Sequence, residues 1–375
     1  MSGLIRSMSV AATAVLGLSL VAVPQPALAA PPGPVTVASG LDNPRQLSVR
    51  PGQRLYVAEA GSGEACSPIP GVDPELGAAF CGLTGAITEV NGASQRRVVT
   101  GLPAMSANGE VVGPSDVDVR GANITVLIGG MGGAASLRDG LGADYAAFGT
   151  LRTGVLRSTP IGLGNLALAA DLNAWEVATN PDGKVPPDSN AVGFDALDSK
   201  NWAVTDAGGN TLLTVGKRGA STVSVFPDGP AVQNPFAPPG VLVNPEAVPT
   251  DVVVGPDGAF YVSQLTGFPF PTGASTIWRV TRNGQRTVYA TGLTTVTSLA
   301  WRGNTLYAVQ FDDSDFFGPP VGSLRKVTPG GAAHAAVVDG LPAPYGLAIR
   351  GNSAFVTVNS TSTGNGMVLE VNLRA

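Results

Sequence analysis

Carboxylates, amides and one guanidinium recur at matched points along this chain. Glu59, Asp206, Gln264 and Gln310 fall at matching ends of short apolar runs. Arg45, Asp116, Asn190, Asp251, Ser298 and Tyr345 each stand near the start of another run. If the runs are equivalent strands of a repeat, these side chains gather on one face and form a polar ring. Such a ring can bind a small molecule. Oxygen donors alone also satisfy Ca²⁺, which takes carboxylate, amide and water oxygens, and Glu59, Asp116 and Asp251 are the candidate ligands. The competing reading is a solvated channel whose side chains bond one another and ordered water.

Other chemistries lack their parts. The chain has one histidine, His334, so zinc or copper sites built on His and Cys have no ligand set. No His neighbours a Ser, and no Gly-x-Ser-x-Gly elbow occurs, so no activated nucleophile is read and no catalytic residue is assigned. The run Gly129-Gly130-Met131-Gly132-Gly133 lacks the Lys of a phosphate loop. The loop Asp312-Asp313-Ser314-Asp315 does not match a 12-residue calcium loop and reads as a solvated turn. Phe268-Pro269-Phe270-Pro271 either grips a partner or covers the top of the fold.

The elements that hold these residues are short strands. Residues 55–59, 260–264, 306–310 and 354–358 each carry an aromatic residue near their start. Turns such as Gly255-Pro256-Asp257-Gly258 precede them, Pro fixing φ and Gly accepting φ > 0. A strand led by Pro44, Pro249 or Pro344 precedes the turn. A third, alternating strand follows, as in Ser275-Thr276-Ile277-Trp278-Arg279-Val280, and a fourth runs into Gly-Leu at 101–102, 292–293 and 340–341. The best-matched units repeat at about 46 to 48 residues, the period of a β-propeller blade.

Six units begin near Asn43, Gly113, Asn190, Val248, Thr295 and Ala343. The expected fold is therefore an all-β, six-bladed propeller of four antiparallel strands per blade, with seven blades as the second choice if residues 137–172 hide a further unit. Residues 35–41 read as a fourth strand and residues 366–371 as a third, so the N-terminal strand should complete the last blade. A β-sandwich would not repeat one four-strand unit six times.

Residues 1–29 read as a signal peptide. Arg6 precedes an uncharged run from Val10 to Val23, and Ala27-Leu28-Ala29 offers a cleavage site, leaving residues 30–375 as one propeller. The apolar run, roughly fourteen residues, is short of the twenty or so that a membrane span needs, so no transmembrane anchor is expected. Export puts Cys66 and Cys81 where disulfides persist, and they are expected to pair. Such a bridge over about fifteen residues stabilises by on the order of 3 kcal/mol. A net charge of −5 with no basic stripe argues against a nucleic-acid partner. With 50 Gly, 31 Pro and 13 % charged residues, the composition suits many strands joined by tight turns.

Several segments give this chain a family likeness. They are Gly40-Leu41-Asp42-Asn43-Pro44-Arg45, residues 55–61, Asp188-Ser189-Asn190, Thr205-Asp206-Ala207-Gly208-Gly209-Asn210 and Leu265-Thr266-Gly267-Phe268-Pro269-Phe270-Pro271. On these it resembles the ScyD/ScyE family of secreted propellers and, more loosely, NHL-repeat and gluconolactonase-like propellers. The resemblance implies the propeller fold and export. The family pattern has Glu where Gln264 and Gln310 stand and His where Ser115 stands. The readings that follow are an exported, monomeric binding module for a small molecule or another exported protein, a Ca²⁺-dependent hydrolase of lactones or similar esters, or a structural envelope protein.

Overall fold

The computed structural model describes residues 33–52, 54–62, 67–68, 79–107, 110–130, 138, 140–314 and 317–374. The signal peptide expected at 1–29, and Cys66 of the expected disulfide, lie outside the described residues.

Six antiparallel sheets, each built on four strands running from an inner to an outer position, make a six-bladed β-propeller. The inner strands are Pro44–Val49, Pro114–Arg120, Ala191–Ala196, Pro249–Val254, Val296–Arg302 and Leu347–Arg350, one per blade in chain order. Blade 6 is closed from both ends of the chain. Val35–Leu41 pairs with Gly366–Asn372 as its outermost strand, which removes two open sheet edges at once. Among the described residues of 137–172 there is no seventh blade, because Thr150–Val155 and Ala167–Asp171 are the third and outer strands of blade 2.

Three second strands, Leu55–Glu59, Trp202–Asp206 and Phe260–Gln264, are buried along their whole length. Their alternation feeds two cores. In blade 5, Leu306 and Ala308 pack toward blade 4, while Tyr307 and Val309 pack toward blade 6. Hydrophobic clusters of this kind fill all six junctions between neighbouring blades. A buried Leu, Val or Phe stabilises by about 1.5–3 kcal/mol, so the ring is held by apolar contacts between blades.

One hydrogen bond repeats around the ring. A residue leading into each inner strand accepts, through its carbonyl, an N–H just after the second strand. The pairs are Ala60 to Asn43, Gly129 to Gly113, Ala207 to Asn190, Leu265 to Val248, Phe311 to Thr295 and Ser360 to Ala343, at 2.8 to 3.1 Å. Asn43, Val248, Thr295 and Ala343 take left-handed φ values of 48°, 49°, 42° and 39°. Val and Thr adopt that region rarely, and the repeated bond holds them there.

The link from blade 2 to blade 3 carries a short helix, Leu172–Thr179, which the strand-by-strand reading of the sequence does not anticipate. Asp171 caps it by accepting the Ala174 N–H at 2.9 Å, and Asn180 ends it at φ 38°. His334 stands one residue before the outer strand Ala335–Pro342, where its Nδ1 accepts the Thr328 N–H.

Candidate functional site

The channel opens on one face where the inner strands begin. The second residue of each inner segment lines a cavity of about 280 Å³ there: Arg45, Ser115, Val192, Thr250, Thr297 and Tyr345. In blades 1 to 5 the strand register slips at this point, between Pro44 and Leu47, Pro114 and Asp116, Ala191 and Gly193, Pro249 and Asp251, and Val296 and Ser298. A bulge takes a residue out of the ladder and re-aims its side chain. The same irregularity repeated around the ring builds the cavity wall.

Hydroxyls in this ring are already committed. Thr250 Oγ1 donates to the Val296 carbonyl at 2.6 Å and Thr297 Oγ1 to that of Tyr345 at 2.7 Å, each tying one blade to the next, while Ser115 Oγ lies 3.3 Å from the Leu127 carbonyl of its own blade and 3.4 Å from that of Ala191 in the next. These side chains therefore offer the cavity carbon rather than free donors, and Val111, Leu265, Phe270 and Phe311 add to the apolar wall.

Arg45 is the cation of this cavity. Its Nη1 donates to the Ser360 carbonyl at 2.5 Å and its Nη2 to Val111 at 2.6 Å. Its guanidinium carbon lies 5.1 Å from the centre of the Tyr345 ring, within cation–π range. Burial lowers its pKa, while Tyr345 and Glu110 act the other way. Among the described residues no carboxylate forms an ion pair with it. Burial also raises the Tyr345 hydroxyl pKa. Asn190 lines the same cavity, and its Oδ1 is buried without a hydrogen-bond partner.

Asp116 and Asp251 sit one residue further along and face a second cavity of about 300 Å³ toward the other end of the channel. Both act as stitches between blades. Asp116 Oδ2 accepts the Phe194 N–H at 2.8 Å, and Asp251 Oδ2 accepts the Leu299 N–H at 2.8 Å and the Ser298 hydroxyl at 3.1 Å. Ser298 Oγ also lies 2.8 Å from Gln46 Oε1, so that Asp251 and Gln46 share its single proton, and it accepts the Leu347 N–H at 3.1 Å. Desolvation is the largest cause raising both carboxyls, Asp116 well above the usual range and Asp251 to about 7. Blades 3 and 6 carry glycine at the matching position. A Cβ at Gly193 would lie 2.6 Å from the Thr250 carbonyl oxygen, and one at Gly346 would lie 2.5 Å from that of Arg45, so neighbouring inner strands leave no room for a side chain there.

The second-strand ends act differently again. Glu59 accepts the Asp42 N–H at 2.7 Å, Asp206 the Asn190 N–H at 2.7 Å and Gln310 the Thr294 N–H at 2.8 Å. In three blades, the side chain at this point clamps the segment that enters the inner strand. Gln264 accepts the Trp278 indole N–H at 2.8 Å instead. Glu59 is fully buried, and Arg97 reaches both its oxygens, at 3.1 and 2.8 Å.

The expected ring is thus divided among three places. Arg45, Asn190 and Tyr345 share the upper cavity. Asp116, Asp251 and Ser298 form a stitched layer below it. Glu59, Asp206, Gln264 and Gln310 line neither channel cavity. Glu59, Asp116 and Asp251 are not brought together as a calcium cage, because the Glu59 oxygens are taken by Asp42, Thr88 and Arg97. Val192, Thr250 and Thr297 are not among the site residues expected from the sequence. The signal that finds them is their place, one residue after the start of each first strand. The Phe268–Pro271 loop lies over the mouth: Phe270 lines the cavity, and Phe268 stacks on Phe236 with ring centres 5.9 Å apart.

No protein-family model matches the chain, and no curated protein sequence does. Solved structures do. A glucose dehydrogenase is 12 % identical, with a TM-score of 0.51 over 91 % of this chain and 99 % of that one. A luciferin-regenerating enzyme is 9 % identical, with a TM-score of 0.49 over 91 % of this chain and 95 % of that one. Virginiamycin B lyase from Staphylococcus aureus is 10 % identical, with a TM-score of 0.41 over 90 % and 99 %. At such identities the first likeness speaks for the fold alone.

Proposed function

We propose that this protein is an exported binding module whose ligand is a small organic anion held in the upper channel cavity. The observation that carries the reading is the Arg45 guanidinium, which among the described residues forms no ion pair, in a wall that is otherwise mostly carbon and that Glu110 also lines. An anionic group would meet Arg45, with the Tyr345 hydroxyl and the rim close by, and an apolar body would meet Val192, Leu265 and Phe270. A charge-assisted bond in a desolvated cup is stronger than a neutral one, and few polar groups in an apolar cavity are the usual makeup of a ligand site.

The resemblance to secreted ScyD/ScyE propellers supports export, and the leader-like residues 1–29 support it independently. No helix among the described residues is long and apolar enough to cross a membrane. The calcium-dependent hydrolase reading is supported less, because Glu59 is spent on Arg97 and does not join Asp116 and Asp251.

The experiment is a thermal-shift screen of small carboxylates, hexanoate and benzoate among them, each beside its neutral amide. A carboxylate that raises Tm while its amide does not supports the reading. Equal shifts by acid and amide count against it.

A further inference from the structure

Glu176 lies outside the channel, on the last turn of the helix Leu172–Thr179. It is fully buried, and neither carboxylate oxygen has a hydrogen-bond partner. Leaving such a group dry and unpaired is costly. The side chain abuts the turn Gly208–Gly209: a Cβ at Gly209 would lie 2.7 Å from Glu176 Oε2. The adjoining Gly208 backs on Asp188 in the same way, 3.0 Å from its Oδ1. The glycine pair therefore brings the chain between two carboxylates.

The charges that act on this point are carboxylates. Burial first, then Asp206, Asp182 and Asp188, push the Glu176 carboxyl up to about 8. Lys184 is near in sequence but gives its ammonium to Asp228 and Glu246, at 2.9 and 2.6 Å. Asn180, which caps the helix by donating its N–H to the Glu176 carbonyl at 2.7 Å, has a buried and unpartnered Oδ1. Thr211 Oγ1, just beyond the glycine turn, is in the same state. Asp206 is different: it is filled by Ser189, Asn190 and Gly209. A single proton can satisfy one oxygen of this set, whereas a hard cation can use several.

We propose that this pocket between blades 2 and 3 binds one Ca²⁺, with Glu176 and Asp188 as its acidic ligands. Among the described residues no three acidic, His or Cys side chains form a cage. The remaining ligands are therefore neutral oxygens, those of Asn180 and Thr211 being the ones without partners, and water. Calcium accepts such mixed shells of about six to eight oxygens.

The test is calorimetric titration of CaCl₂ into the chelator-treated full chain, paired with melting curves. One ion should bind per chain and raise Tm. Glu176→Gln should weaken binding at least tenfold, and Asp251→Asn in the channel should leave it unchanged. In chelator, Glu176→Gln should melt no lower than the parent, since it removes a buried acid without a partner; that reading also shows that the variant folds. Absence of heat and of a Tm shift at millimolar Ca²⁺ overturns the proposal. So does binding that survives Glu176→Gln.

Discussion

Asp251 and Ser298, on the inner strands of blades 4 and 5, meet at 3.1 Å, and the same carboxylate oxygen takes the Leu299 N–H at 2.8 Å. Asp195 to Val254 and Asp116 to Phe194, both 2.8 Å, repeat the device one and two blades earlier. Inner-strand carboxylates are thus spent on the next blade. Asp251→Ala leaves the Leu299 and Val252 N–H groups short of an acceptor, and each unmet buried group costs about 1–3 kcal/mol. We expect urea unfolding to show a loss of about 3 kcal/mol. A loss below about 0.5 kcal/mol, the level of an ordinary surface substitution, contradicts the stitch.

Stability should fall as pH rises across neutrality. Asp251 is raised to about 7 in the folded state, against about 3.9 for an unfolded Asp. The folded chain then binds more protons than the unfolded chain between those values, so stability declines with pH through that window and levels off above it. Asp116 is raised as well and adds in the same sense. Melting curves in chelator should give a higher Tm near pH 5 than near pH 8, and Asp251→Asn should flatten the slope. A parent Tm that climbs from pH 5 to pH 8 contradicts the assignment.

Arg97 holds Glu59 from the side of the blade, with both carboxylate oxygens engaged. Arg97 is part-exposed and Glu59 is not, so the pair is screened on one side only. Arg97→Ala should destabilise by about 2 kcal/mol, below the 3–5 kcal/mol seen when a fully buried pair is broken. Because Glu59 lines neither channel cavity, ligand affinity should be unchanged at a temperature where the variant is folded. A selective loss of ligand binding would place Glu59 in the site after all.

The disulfide expected between Cys66 and Cys81 remains a proposal. Ser67 stands in register with Cys81. A non-reducing peptide map should show the linked pair. Reduction should move the global Tm little, because the bridge closes an insertion in blade 1 rather than a junction between blades. Two free thiols in the exported protein contradict it.

Much of the fold is legible in the sequence. Proline-led first strands, aromatic second strands and Gly-Leu outer ends recur because every blade solves the same packing problem. The closing strand is legible because Val35–Leu41 ends in the Gly-Leu of the other outer strands. The site is less legible. Polar residues such as Asp116, Asp251 and Glu59 draw the eye, yet these three are used as stitches and clamps. What lines the upper cavity is decided by the bulge, which shifts Val192, Thr250 and Thr297 out of the ladder, and register slips leave no mark on residue type. Glu176 is hidden for a related reason: its helix fills a link between blades that has no counterpart elsewhere in the repeat.

The most direct test of the channel reading is calorimetry of hexanoate and benzoate with the parent chain, Arg45→Gln and Val192→Phe. Arg45→Gln removes the charge, and Val192→Phe fills the cavity from the wall that blade 3 supplies. At least one acid should bind the parent one to one, at least tenfold more weakly to Arg45→Gln, and not measurably to Val192→Phe, with both variants keeping the parent's β-sheet circular dichroism. Binding of equal strength in all three chains, or to none, contradicts an anion site at the mouth of the channel.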